Sequence, residues 1–79
     1  NVPEALQCDL NLETAAQATI KAGIRTAETA HDFVSRDLLL KILDDTEEHI
    51  DFLETQLDLI EKVGVQNYLQ TQMGEAEAH

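Results

Sequence analysis

Glu13 and His49 are the residues of this chain whose types and setting could do chemistry. In the stretch ILDDTEEHIDFLETQ, residues 42–56, four acids surround Thr46 and a histidine follows at position 49. Each residue of a helix advances about 100°, so Leu39, Ile42, Thr46, His49, Leu53 and Ile60 fall on one side, and a hydroxyl and an imidazole interrupt an apolar stripe. Upstream, Leu6, Leu10, Glu13, Gln17, Ile20, Ile24, Ala27 and His31 alternate spacings of four and three, with Glu13 inside that seam. A buried carboxylate is costly unless it is paired or coordinates a metal. Antiparallel pairing of the two stripes brings Glu13 and His49 together, either as a hydrogen-bonded core pair or as ligands of one metal. Asp9, one turn before Glu13, could be a further partner. Nothing in the chain resembles a nucleophilic triad, a phosphate loop or a zinc-binding cysteine cluster.

The elements that must position these residues are all helical. Pro3 suits a first helical turn, with Asn1 or Val2 at the cap and Glu4 favourably placed on the dipole, and the spacing predicts a first helix over about 3–30. Gly23 inside it costs up to about 1 kcal/mol against alanine, which marks a close helix contact. AHDFVSRD interrupts the pattern: His31 suits a helix C-terminus, and Asp32 or Ser35 can cap the next helix. That second helix is predicted over about 33–63, with Gly64 as its stop, followed by a short helix over about 66–73 and a frayed tail over 74–79. Glu47, Asp51, Glu54, Asp58 and Glu61 form an acidic stripe beside the apolar one, read as a solvated face. No strand pattern is present, so the expected fold class is all-α: a long antiparallel helical hairpin with a short C-terminal helix.

The bulk composition narrows the function classes. A chain of 79 residues makes at most one small domain, and at this size folding buries only about 60% of the surface the unfolded chain exposes. Two long helices alone leave one flank of their seams open, so a further helical partner is needed. Sixteen acids against five bases give a net charge of −11, which argues against nucleic acid or an anionic membrane as partner and favours cations or basic surfaces. No apolar run is long enough to span a bilayer. One cysteine, Cys8, excludes an internal disulfide, fits a reducing, cytoplasmic setting, and is expected as a small half-buried filler. The chain opens at Asn1 rather than methionine, which reads as a processed piece or a fragment.

The segments CDLNLE, AHDFVSRDLLLKIL and EEHIDFLETQLDLIEKVGVQNYLQTQ resemble the C-terminal half of the bacterioferritins, the haem-containing bacterial ferritins. The resemblance covers essentially all of residues 1–79 and is most specific between His49 and Gln70. It implies that the hairpin is half of a ferritin-like four-helix bundle, supplying its third and fourth helices and a short fifth. It also implies an N-terminal half of the subunit, cleaved or separate, and further subunits in a 24-mer shell. Iron is then the cargo: iron(II) is oxidised by oxygen or peroxide at a di-iron site, the ferroxidase activity of the family, and an iron(III) mineral grows in the cavity.

The resemblance carries over residue by residue. Such proteins hold two irons with a glutamate from each of two helices and a Glu-x-x-His motif from each of the other two. Glu13 matches a single-glutamate position and His49 the motif histidine, whereas the position of the motif glutamate is Thr46. Haem b is bound in this family between subunits through a methionine of the second helix, in the half not represented here, so Met73 is not that ligand. Asn67 and Gln70 match positions that line fourfold pores of the shell. His31 matches no iron ligand, and a helix-end role is expected for it. The alternative from another class is a purely structural or interaction hairpin that dimerises into a four-helix bundle, with Glu13 and His49 as a core polar pair.

Overall fold

A computed structural model describes the backbone of residues 1–78 and the side chains of residues 1–73. Three helices follow one another: α1, Val2–Thr29; α2, Phe33–Val63; and α3, Val65–Ala78. The fold is all-α, and its antiparallel hairpin gives the molecule extents of 50 × 26 × 16 Å.

Local sequence explains each boundary. Asn1 Oδ1 accepts the Glu4 backbone N–H at 2.9 Å, and a proline follows in the first turn, where no intrahelical donor is lost. At the other end of α1, the Asp32 N–H reaches the Ala27 carbonyl at 2.8 Å and the His31 N–H reaches that of Glu28 at 3.0 Å. This is a Schellman closure, and it places His31 in the left-handed region with φ 57°. His31 thus takes a helix-end role. Its ring stacks on Phe33 with centroids 6.0 Å apart. Of the two capping candidates, Asp32 caps α2: its carboxylate accepts the Ser35 backbone N–H at 3.1 Å and the Ser35 hydroxyl at 2.6 Å. Both bonds favour the charged form, the hydroxyl bond most, and hold the Asp32 carboxyl below its ordinary pKa.

α1 and α2 pack along the expected seams. Leu6, Leu10, Glu13, Gln17, Ile20 and Ile24 are half-buried on α1, facing Leu39, Leu43, Thr46, Ile50 and Leu57 of α2. Among the described residues the buried core consists of Ala27, Leu53, Ile60 and Tyr68, with Leu53 only 2% exposed. A Cβ added to Gly23 would stand 3.3 Å from Leu39 Cδ1, so the missing side chain lets the helices approach closely.

Gly64 turns the chain into α3 with φ 83° and ψ 158°, a conformation open essentially only to glycine. Tyr68 then folds back on α2, where its hydroxyl donates to Gln56 Oε1 at 2.9 Å. Two expectations are corrected here. α3 does not stop at Gly74 but runs through Ala78, because the alternating Glu and Ala after the glycine are strong helix formers; His79 lies outside the described residues. Cys8 is exposed rather than half-buried, since it falls outside the α2-facing seam.

Candidate metal-binding face

The stripe that carries His49 divides in two once the helices are packed. Leu39, Thr46, Leu53 and Ile60, spaced by seven, turn toward α1 and are half-buried or buried. Ile42 and His49 do not follow them: Ile42 is 42% exposed, and His49 is exposed with its ring stacked on Phe52, centroids 6.3 Å apart. They belong to a second stripe of α2, Leu38, Ile42, Asp45, His49 and Phe52, spaced by four and three. Two apolar seams therefore run along α2, and α1 covers only one of them.

α1 shows a matching flank. Ala5, Leu12, Ala16, Thr19 and Ala30 fall on one exposed face, turned about 90° from the α2-facing seam. In an antiparallel pair this flank and the His49 stripe lie on the same side of the hairpin. That side exposes the large apolar side chains of Leu12 at 65%, Leu38 at 60% and Phe52 at 54%, and His49 lies along the same stripe as the last two. The acidic stripe lies on the opposite side. Within it Lys62 Nζ meets Asp58 at 2.8 Å, and that hydrogen bond raises the lysine pKa.

Glu13 is half-buried at the α1–α2 seam, while His49 looks outward, so the two do not form the core pair that antiparallel pairing of whole stripes suggests. Among the described residues no hydrogen bond joins them, and no three His, Cys, Asp or Glu side chains converge as a metal site. The polar link that does cross between the helices is one that stripe reading missed: Gln17 Nε2 donates to Glu47 Oε2 at 3.2 Å. Its signal was present, because Gln17 is the second polar residue of the α1 seam, one turn after Glu13. Asp9 is exposed.

The remaining candidates sit on α3. Asn67 and Gln70 are both exposed, and Asn67 Nδ2 donates to the Val63 carbonyl at 2.8 Å, satisfying one of the last carbonyls of α2. Met73 is 62% exposed. Shallow grooves run along single helices, one lined by Ala22, Arg25, Thr26, Thr29 and Ala30 and another by Leu40, Lys41, Leu43, Asp44 and Glu47; neither includes Glu13 or His49. Among the described residues no helix is long and apolar enough to cross a membrane.

Comparison with known proteins bears on what this one-sided surface is for. A family model described as a ferritin-like domain matches residues 1–63. A bacterial ferritin of Synechocystis is 58% identical over 73 residues, which cover 91% of this chain and 47% of that protein. A bacterial ferritin of Pseudomonas aeruginosa is 51% identical over 91% of this chain and 47% of its own length, and a bacterioferritin of Brucella melitensis 43% identical over 98% and 48%. The chain spans about half the length of the curated relatives it matches. The matching helical pattern and the extent of these similarities show that the chain belongs to the ferritin-like domain family.

Proposed function

We propose that this chain works in iron storage, as the C-terminal half of a bacterioferritin-type subunit whose N-terminal half supplies two more helices. The observation that carries the reading is the apolar flank of Leu12, Leu38, Ile42 and Phe52, which has His49 at its centre and lies on one side of the hairpin. A helix pair laid on that side closes a four-helix bundle and encloses His49. Subunits of this kind assemble into a hollow 24-mer, in which α3 packs at a shell vertex and Asn67 and Gln70 face a pore. Iron(II) is the substrate and an iron(III) mineral the stored product. Haem, where bound, is held by the other half, and the setting is the cytoplasm.

Toward iron this chain offers Glu13 and His49. The di-iron centre of ferritin-like proteins asks more of such a helix pair, namely a carboxylate three residues before the histidine. Thr46 stands there, so the donor set present does not fit that centre, and no oxidation step is assigned to it.

The test is made on the assembled protein containing this chain. Light scattering after size exclusion should give the mass of a many-subunit shell, and aerobic loading with iron(II) should leave electron-dense cores visible by microscopy. A complex the size of two hairpins that retains no iron would instead establish the interaction module.

A further inference from the structure

The side of the hairpin opposite His49 is left free by the bundle-closing helix pair, and what covers it is inferred here from the reading that copies of this chain assemble. The bond between Gln17 and Glu47 fixes which faces of α1 and α2 share that side. Lys21 and Arg25 follow Gln17 at intervals of four, so both stay on it, and both are exposed. On α2 the same side carries Arg36 and Leu40, eleven and seven residues before Glu47, and Phe33, about 160° around the helix from His49.

Phe33 is 50% exposed and Leu40 45%, and helices laid on the His49 flank cannot reach either. Arg36 lies over the Phe33 ring, 4.9 Å from its centroid, and meets Asp37 at 3.0 Å. An aromatic ring braced beside an arginine on an open face is a composition that interfaces favour.

Charge on this side is divided along its length. Lys21, Arg25 and Arg36 stand near the loop, whereas Asp51, Glu54, Asp58 and Glu61 run toward the far end, all exposed. Residues 1–16 of α1, which flank that far end, contain no lysine or arginine. Among the described residues Asp58 alone of these acids pairs with a base, Lys62, and neither Lys21 nor Arg25 makes an ion pair. Within one hairpin the two ends cannot neutralise each other. Arg36 and Glu54 are eighteen residues apart on one helix, about 27 Å at 1.5 Å per residue.

We propose that this side is a contact between two copies of the chain, in which the loop end of one, with Lys21, Arg25, Phe33 and Arg36, docks on Asp51, Glu54 and Asp58 of the other. Charge identifies the partner, because the chain itself carries the complementary surface, while the acidic half repels nucleic acid and anionic lipid. Exposed ion pairs are individually weak, so the contact weakens as salt rises.

The test uses assembled protein in which two isotopic forms of the chain are mixed before assembly. A carbodiimide joins a lysine amine to a carboxylate in direct contact. Mass spectrometry of the digest should show Lys21 joined to Asp51, Glu54 or Asp58 in mixed-isotope pairs. Links confined to one isotope, or Lys21 joined only to carboxylates of the N-terminal half, would overturn the contact and leave iron storage intact. In dilution series at low salt followed by light scattering, Lys21→Glu with Arg25→Glu should weaken association about tenfold. Asp51→Lys with Glu54→Lys should do the same, and protein with all four changes should recover. Unchanged association in both reversals, or no recovery in the combined protein, would overturn the proposal. Should a reversal fail to fold by circular dichroism, the cross-links of native protein decide the matter. Native protein that neither assembles nor retains iron would overturn the reading on which the contact rests.

Discussion

Gln17 Nε2 donates to Glu47 Oε2 at 3.2 Å, and among the described residues it is the side-chain hydrogen bond that joins the two long helices. It lies one turn from Glu13 and one residue from Thr46, yet on the side of the hairpin away from His49. The link ties the acidic face of α2 to the α1 seam.

Loss of this link should be felt in stability but not in metal binding. Because the bond is open to solvent at the exposed Glu47, Gln17→Ala should cost about 0.5–1 kcal/mol, the low end for a hydrogen bond, in chemical denaturation of the assembled protein. Glu47→Gln should leave divalent-metal affinity unchanged by calorimetry. A marked drop in affinity would place Glu47 in the site.

Acid should weaken the start of α2 through Asp32. Its pKa is lowered by the bonds from Ser35, so its contribution is fully present above the ordinary aspartate pKa of 3.8 and is lost as pH falls through the lower folded value. Asparagine caps as well as aspartate but does not titrate. In an acid titration followed by amide hydrogen exchange at Ser35 and Arg36, native protein should lose protection at low pH, and Asp32→Asn should show a flatter profile. Superimposable profiles would assign the acid response to other groups.

The isolated chain should not fold as a cooperative monomer. Among the described residues its buried core is limited to Ala27, Leu53, Ile60 and Tyr68, while one flank of each long helix stays exposed. Circular dichroism at low micromolar concentration should show partial helicity that falls on dilution. A sharp, concentration-independent melt would show that the hairpin needs no partner.

The docking of α3 should depend on Gly64. Its φ of 83° and ψ of 158° would strain any other residue by about 1–3 kcal/mol, although nothing crowds the site. Gly64→Ala should destabilise the assembled protein by that amount and expose Tyr68, read as stronger quenching of its fluorescence by iodide or as faster iodination of its ring. Tyr68→Phe, which loses only the bond to Gln56, should cost about 0.5–1.5 kcal/mol. Equal stability of Gly64→Ala and native protein would mean that α3 does not hold this turn.

Much of the hairpin was legible in the residues themselves. The four-three spacing of Leu6 to Ala27, the cap at Asp32 and the glycine at 64 each act over a turn or two of chain, where backbone hydrogen bonding and side-chain type decide the outcome. The end of α3 was misread because a single glycine costs a helix only about 1 kcal/mol, and the Glu and Ala residues after it offset that. The types of the candidate ligands, Glu13 and His49, and the gap at Thr46 were equally visible.

Tertiary structure decided which way the broad apolar arc of α2 divides. Periodicity places Thr46 and His49 in one stripe, but they stand about 60° apart around the helix, and only the crossing angle and register against α1 determine which of them is covered. Packing turns Thr46 inward, leaves His49 on the open flank, and pairs Gln17 with Glu47 across the opposite edge. A stripe records which residues share a helix face; where two helices meet is set by how closely their ridges fit, here through the gap at Gly23, and that fit is a property of both surfaces together.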